Sequence, residues 1–205
     1  MSKQNMQEFY EIRWHGRGGQ GAVTGAMLLA KAAFLYGYKG VTAAPFFGAE
    51  RRGAPIIATN RIATRPINTY SLVENPDIVI VLDETLLNVV DVTKGLREYG
   101  IVIINTPRTP GEIPIPHHTI ATTNASENAK KAGLIVEGIP IVNTSILGGI
   151  SRATGMVNLE SIEKSIQNHF PPEIAKKNIE GTELTFESTL LNQAWPGSKK
   201  ENTSD

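Results

Sequence analysis

The sequence predicts an α/β protein, a three-layer α/β/α sandwich around a mainly parallel, mixed sheet. Three observations carry this. A strand-like segment runs into a glycine-rich turn that opens an apolar helix, the opening of a strand–turn–helix unit. Two short runs, Ile78-Val79-Ile80-Val81-Leu82 and Ile101-Val102-Ile103-Ile104, are apolar throughout, as strands covered on both faces are. Strand and helix patterns alternate along most of the chain.

The elements follow in order. Residues 8–14 carry Phe9, Ile12 and Trp14 and read as a strand, ending in His15-Gly16-Arg17-Gly18-Gly19-Gln20-Gly21. Residues 22–36 read as a helix whose apolar face is Val23, Ala26, Met27, Ala30, Ala33 and Phe34, stopped by Gly37. Residues 41–44 form a second strand and 45–55 a loop. Residues 56–62 form a third strand, with 66–70 as an edge strand paired to it. Asn75-Pro76-Asp77 is a turn before the first all-apolar strand. Residues 84–99 read as a helix closed by Gly100, residues 101–104 as a strand, 106–118 as a proline-rich loop and 119–122 as a strand. Ser126 reads as the cap of a helix to residue 132, with Glu127 at its positive end. Residues 144–153, 159–169 and 172–193 read as helices. The boundaries expected are a single domain over 8–193, an N-terminal extension over 1–7 and a solvated C-terminal tail over 194–205.

Composition narrows the function. With 205 residues the chain is long enough for a sizeable core. Twenty basic and twenty acidic side chains cancel, which argues against a protein that coats nucleic acid or anionic membrane. There are no cysteines, so the chain offers no disulfide, no thiolate ligand and no cysteine nucleophile. No secretory signal or membrane-length apolar run is present, and the expected setting is the cytoplasm.

Two stretches could carry chemistry. Gly16-x-Gly18-x-x-Gly21 follows a strand and opens a helix, where backbone N–H groups attract phosphate. The spacing matches the dinucleotide fingerprint, but the acid expected at the end of the second strand is replaced by Ala43-Ala44-Pro45-Phe46. A tight strand-to-helix crossing, another anion site and a dinucleotide site all stay open. In the second stretch, Phe46, Phe47, Glu50, Arg51 and Arg52 form an aromatic–arginine loop that suits a protein interface, a solvated loop with one Phe buried, or bidentate anion binding by Arg51 and Arg52. Asp83 and Glu84 end a buried strand, where ligands gather in open sheets, though Asp83 reads first as a cap. No zinc pattern, nucleophile elbow or Walker loop occurs, and no catalytic constellation forms.

Taken together, His15-Gly16-Arg17-Gly18-Gly19-Gln20-Gly21, the small-residue helix, and Pro45-Phe46-Phe47-Gly48-x-Glu50-Arg51-Arg52-Gly53-x-Pro55 resemble the gamma subunit of 2-oxoacid:ferredoxin (acceptor) oxidoreductases. The likeness continues through Asn75-Pro76-Asp77 to Asp83 and through Asn143-Thr144 with Leu147-Gly148-Gly149, over residues 8–190. It implies a subunit of a complex that converts a 2-oxoacid and coenzyme A to an acyl-CoA and carbon dioxide. It implies thiamine diphosphate, Mg2+ and 4Fe-4S iron–sulfur clusters in alpha, beta and delta-type partner subunits, and ferredoxin or another acceptor for the electrons. For this chain it implies a structural role through Phe46, Phe47, Glu50, Arg51 and Arg52. A contact with coenzyme A or phosphate is also implied, through Gly18, Gly19, Gln20, Gly21, Arg51 and Arg52. It implies no metal ligand and no catalytic residue. The competing class is a free-standing nucleotide- or flavin-binding oxidoreductase built on Gly16, Gly18 and Gly21.

Overall fold

The computed structural model describes residues 7–46, 52–69 and 71–198. A seven-stranded sheet forms its centre, in the order β2–β3–β1–β4–β5–β6–β9. The strands are β1 (Phe9–Arg17), β2 (Gly40–Phe46), β3 (Pro55–Ala63), β4 (Ile78–Val81), β5 (Ile101–Asn105), β6 (Thr119–Thr123) and β9 (Leu190–Leu191). The pairs β1–β4, β4–β5 and β5–β6 are parallel, whereas β3 runs antiparallel to both β1 and β2, and β9 antiparallel to β6. Two two-residue strands, β7 (Ile135–Val136) and β8 (Ile139–Pro140), form a separate hairpin. The α/β class and the mixed, mainly parallel sheet agree with the sequence reading.

The period-2 geometry of a strand sends alternate side chains to opposite faces. Ile78, Ile80, Leu82, Ile101 and Ile103 therefore share one core, and Val79, Val81, Val102 and Ile104 a second. The first core is the larger. It is covered by α1 (Ala22–Tyr36), α3 (Val142–Thr154), α4 (Leu159–Gln167) and α5 (Pro172–Ser188), with α2 (Ala125–Lys131) packed against α3 and α5. Trp14, fully buried in it, donates its indole N–H to Asn60 Oδ1 at 2.8 Å. The Asn60 amide in turn donates to the carbonyls of Ala26 and Thr42, each at 2.8 Å. A buried side-chain amide is tolerable because each of these hydrogens finds an acceptor. The network ties β1, β2, β3 and α1 at one point.

Several elements differ from the sequence reading. Residues 84–99 form no α-helix. A 3₁₀ turn covers Glu84–Asn88 and irregular turns follow. Asp91 accepts from the N–H and hydroxyl of Thr93, Gly95 takes φ +74°, and Arg13 occupies the carbonyls of Val92 and Lys94. Those groups are lost to helical bonding, so the layer over the second face is thin. Residues 66–69 are not a strand, because β1 and β2 already occupy both edges of β3. The buried side of α1 is Ala22, Gly25, Ala26, Leu28, Leu29, Ala30, Ala32 and Ala33, so Ala26, Ala30 and Ala33 of the expected face are buried while Val23 and Phe34 are 37% and 62% exposed. A helix apolar nearly all round does not fix its own inward face. Asn124, not Ser126, caps α2, accepting from Glu127 N–H at 3.1 Å. The last helix ends at Ser188, and β9 then pairs with β6. Ordered packing continues past residue 193. Trp195 is buried against Tyr10 and donates to the Tyr99 carbonyl at 2.7 Å.

α3 and α5 approach so closely that a Cβ on Gly148 would lie 1.9 Å from the Thr182 carbonyl oxygen and 2.8 Å from Phe186 N. Both are backbone atoms of the facing helix and cannot swing away. Gly148→Ala should therefore cost about 3 kcal/mol, read as a lowered urea midpoint. A midpoint equal to that of the parent chain would show that α5 shifts without penalty.

Candidate functional site

The β1–β3 register places Arg17 opposite Pro55, and the pairing continues beyond both strands. Gly18 N–H donates to the Ala54 carbonyl at 2.9 Å, and Gly53 N–H donates to the Gly18 carbonyl at 3.1 Å. The glycine turn and the end of the aromatic–arginine loop are thus one structural unit. Gln20 closes the turn. Its N–H donates to the Arg17 carbonyl at 2.9 Å, and its Oε1 accepts from Arg17 N–H at 2.7 Å. Gly21 then enters α1 at φ +78° with no side-chain cap. A Cβ there would sit 2.3 Å from the Asn143 amide nitrogen, so both backbone and space call for glycine.

Arg17 is the electrostatic hub. Its Nε donates to Asp83 Oδ2 at 2.9 Å, Nη1 to the Gly53 carbonyl at 3.0 Å, and Nη2 to Thr85 Oγ1 at 2.8 Å. Asp83 also accepts from Gln20 Nε2 at 3.2 Å and from Thr85 N–H at 2.9 Å. Burial pushes the Asp83 carboxyl up, but hydrogen bonds from Thr85, Arg17 and Gln20 outweigh it and hold the pKa below the usual carboxylate range. Next along the sheet edge, Glu84 Oε2 accepts from Thr106 Oγ1 and from Arg108 Nε. Asn105 donates to the Leu82 carbonyl and to Ser126 Oγ, each at 2.9 Å.

These groups wall a cleft of about 620 Å³ at the carboxyl ends of β1, β4, β5 and β6, where open α/β sheets gather ligands. Ile139, Pro140, Ile141 and Val142 form its apolar side. A groove of about 540 Å³ beside α5, walled by Ala175 and Ile179, lies apart from both motifs.

Of the residues singled out by sequence, Gly18, Gly19, Gln20 and Arg52 line the cleft, and Gly21 caps α1 behind it. Phe47, Glu50 and Arg51 lie outside the described residues. Phe46 closes β2 opposite Ile57. Arg52 is largely exposed and pairs with Glu137 at 3.3 Å. Asp83 both caps the 3₁₀ turn and lines the cleft, so its two readings hold together. Sequence reading missed Arg17, Thr85, Asn105, Ser126 and the β7–β8 hairpin. Arg17 had a signal, a lone charge inside the glycine run, but its partner is 66 residues away.

The dinucleotide alternative is not favoured. Gly16 lies within β1, paired to Ile56, rather than in the turn, and β3 separates β2 from β1. The strand end that would hold a ribose is therefore not beside the glycine turn. Among the described residues no group of His, Asp and Glu is arranged to hold a metal. With no cysteine, the chain offers no thiolate to an iron–sulfur cluster.

An open sheet with a polar cleft at its strand ends defines an α/β ligand-binding or docking module. Comparison with known proteins gives its family. The pyruvate ferredoxin/flavodoxin oxidoreductase family matches residues 11–188. The chain is 49% identical over 181 residues to the common gamma subunit of the pyruvate/ketoisovalerate oxidoreductases of Thermococcus litoralis, covering 88% of this chain and 97% of that one. It is 50% identical over 178 residues to pyruvate synthase subunit PorC of Methanothermobacter marburgensis, covering 86% and 96%. The crystal structure of pyruvate oxidoreductase subunit PORC from Thermotoga maritima superposes with a TM-score of 0.76 at 37% identity, covering 91% of this chain and all of that one. The chain belongs to this family, as a gamma-type subunit of a pyruvate/2-oxoacid ferredoxin oxidoreductase.

Behind the cleft, His15 is 6% exposed and its Nε2 accepts from Arg13 Nε at 3.1 Å. Burial, with the Arg13 charge adding to it, lowers the His15 pKa to about 4. The unfolded chain binds that proton near pH 6.5. The stability from neutral His15 is therefore fully present above about pH 6.5 and is lost as pH falls toward 4. Relative to His15→Gln, which keeps an acceptor for Arg13, the parent chain should lose about 2 kcal/mol between pH 7 and pH 5. Parallel urea-midpoint curves for the two chains would refute this.

Proposed function

We propose that this gamma chain serves an oxidoreductase that oxidatively decarboxylates pyruvate or a related 2-oxoacid, phenylglyoxylate among them, with coenzyme A. The products are acyl-CoA and carbon dioxide, and two electrons pass to ferredoxin or another acceptor. Thiamine diphosphate, held with Mg2+ by alpha and beta partners, supplies the decarboxylation chemistry, and 4Fe-4S clusters in beta and delta-type partners take the electrons. The setting is cytoplasmic. Gamma itself supplies a folded surface: it docks on its partners and lines the approach of coenzyme A.

The observation that carries the coenzyme A reading is the meeting of both motifs at one polar cleft. Arg52 stands exposed at its rim beside Gly18, Gly19 and Gln20, and α1 starts behind it without a side-chain cap. Gly18 N–H is taken by the Ala54 carbonyl and Gln20 N–H by the Arg17 carbonyl, so phosphate would be met by Arg52, with Arg51 next to it in sequence, rather than by a complete glycine cradle. The docking reading rests on the sequence of the same loop, in which Phe46, Phe47 and Glu50 precede the two arginines.

Arg51→Ala/Arg52→Ala separates the two. If the arginines meet phosphate, the complex assembles and the KM for coenzyme A rises about tenfold, as the loss of one charged contact predicts. Loss of assembly on anaerobic gel filtration would assign them to docking instead. An unchanged KM in an intact complex would remove both roles from these arginines.

A further inference from the structure

The two rims of the cleft come from distant parts of the chain. One is residues 17–20 with Arg52 and Gly53, and the other is residues 139–142, where the chain leaves the β7–β8 hairpin. An ion pair joins them, Arg52 Nη2 to Glu137 Oε2 at 3.3 Å, across 85 residues of sequence. Glu137 and Gly138 make the hairpin turn, at φ +50° and +79°, the left-handed pair that a two-residue hairpin turn requires.

Among the described residues, few other contacts hold the hairpin down. Each of its strands has two residues, and at its base Ile141 N–H donates to the Leu134 carbonyl at 2.9 Å. Ile135, Val136 and Ile139 are 49%, 59% and 53% exposed, so apolar burial adds little. An isolated two-stranded hairpin is marginal in water, and segments with few buried contacts open first. The ion pair is also weak, because both side chains are more than 70% exposed and screened by solvent. Such an element is cheap to lift and easy to bias.

We propose that β7–β8 is a strap across the cleft, closed by the Arg52–Glu137 pair, which lifts to admit and release the cleft's ligand. Naming that ligand coenzyme A rests on the function proposed above, whereas the strap itself does not. Closure brings Ile139 and Pro140 against the cleft and joins its rims. Opening breaks one exposed ion pair and leaves the sheet and the α1 start undisturbed.

The full chain has no cysteine, so Ser126→Cys places a single thiol on the cleft wall. The rate of its reaction with a bulky maleimide reports how often the cleft is open. In this background Glu137→Arg sets like charges against each other and should speed labelling about two- to fivefold, the weight of an exposed pair. The swap Arg52→Glu/Glu137→Arg should bring the rate back to that of the parent. Equal rates in all three chains overturn the strap, and so does a swap that stays fast. Desulfo-coenzyme A, which has no thiol of its own to consume the maleimide, should protect the introduced thiol if the cleft holds coenzyme A. A rate that responds to Glu137 without such protection would overturn the coenzyme A reading and leave the strap standing.

Discussion

The antiparallel pairing of β3 along the full length of β1 is the constraint on which the rest of the site depends. Because β3 returns between β1 and β2, Pro55 comes to lie opposite Arg17, and residues 52–54 are carried beside the glycine turn. Sequence-distant motifs become one backbone-bonded unit. The same insertion moves β2 one strand away from the turn, which removes the ribose-holding geometry of a dinucleotide fold while keeping the helix start. One choice of strand order thus decides what the cleft is made of and weighs against the dinucleotide reading.

Around that unit the polar groups are arranged to hold shape. Arg17 uses Nε and both terminal nitrogens on Asp83, Gly53 and Thr85, and Asn105 joins Leu82 to Ser126. Donors and acceptors tied to each other in this way fix the ends of β1, β4 and β5 relative to one another, and a rigid wall costs a ligand less ordering than a loose one. Arg52 differs from Arg17 in this respect. It is exposed and, among the described residues, paired with Glu137, so the guanidinium named in the sequence motif is the adaptable one. The arginine overlooked there is structural.

Legibility followed locality. The strand–turn–helix opening, the two all-apolar strands and the glycine stops could be read because periodicity and backbone freedom act within a few residues. The segment 84–99 could not. Leu86, Leu87 and Val90 imitate a helical stripe, but Arg13, more than seventy residues earlier, claims two of its carbonyls. The inward side of α1 was obscured for another reason: its small residues are set by Trp14 and Asn143, which press on Gly25 and Gly21 from other elements. The β7–β8 hairpin was invisible because two-residue strands have no period to show. Of the site, the glycine turn and the arginine loop were legible as separate motifs. Their contact, and the Arg17–Asp83 pair that fixes it, is a property of the sheet.

The indoles of Trp14 and Trp195 are both dry and both hydrogen-bonded. Trp14 lies between the sheet and α1, while Trp195 sits beside Tyr10 and Tyr99, near the amino ends of β1 and β5 and so at the opposite end of the sheet from the cleft. The molecule therefore contains two tryptophan fluorophores at different depths and heights. Wetting of either one reddens its emission, and Tyr10, with its ring centroid 6.1 Å from that of Trp195, is close enough to pass excitation to it. Fraying of the carboxyl-terminal segment would shift one component of the spectrum alone, and loss of the main core would shift both.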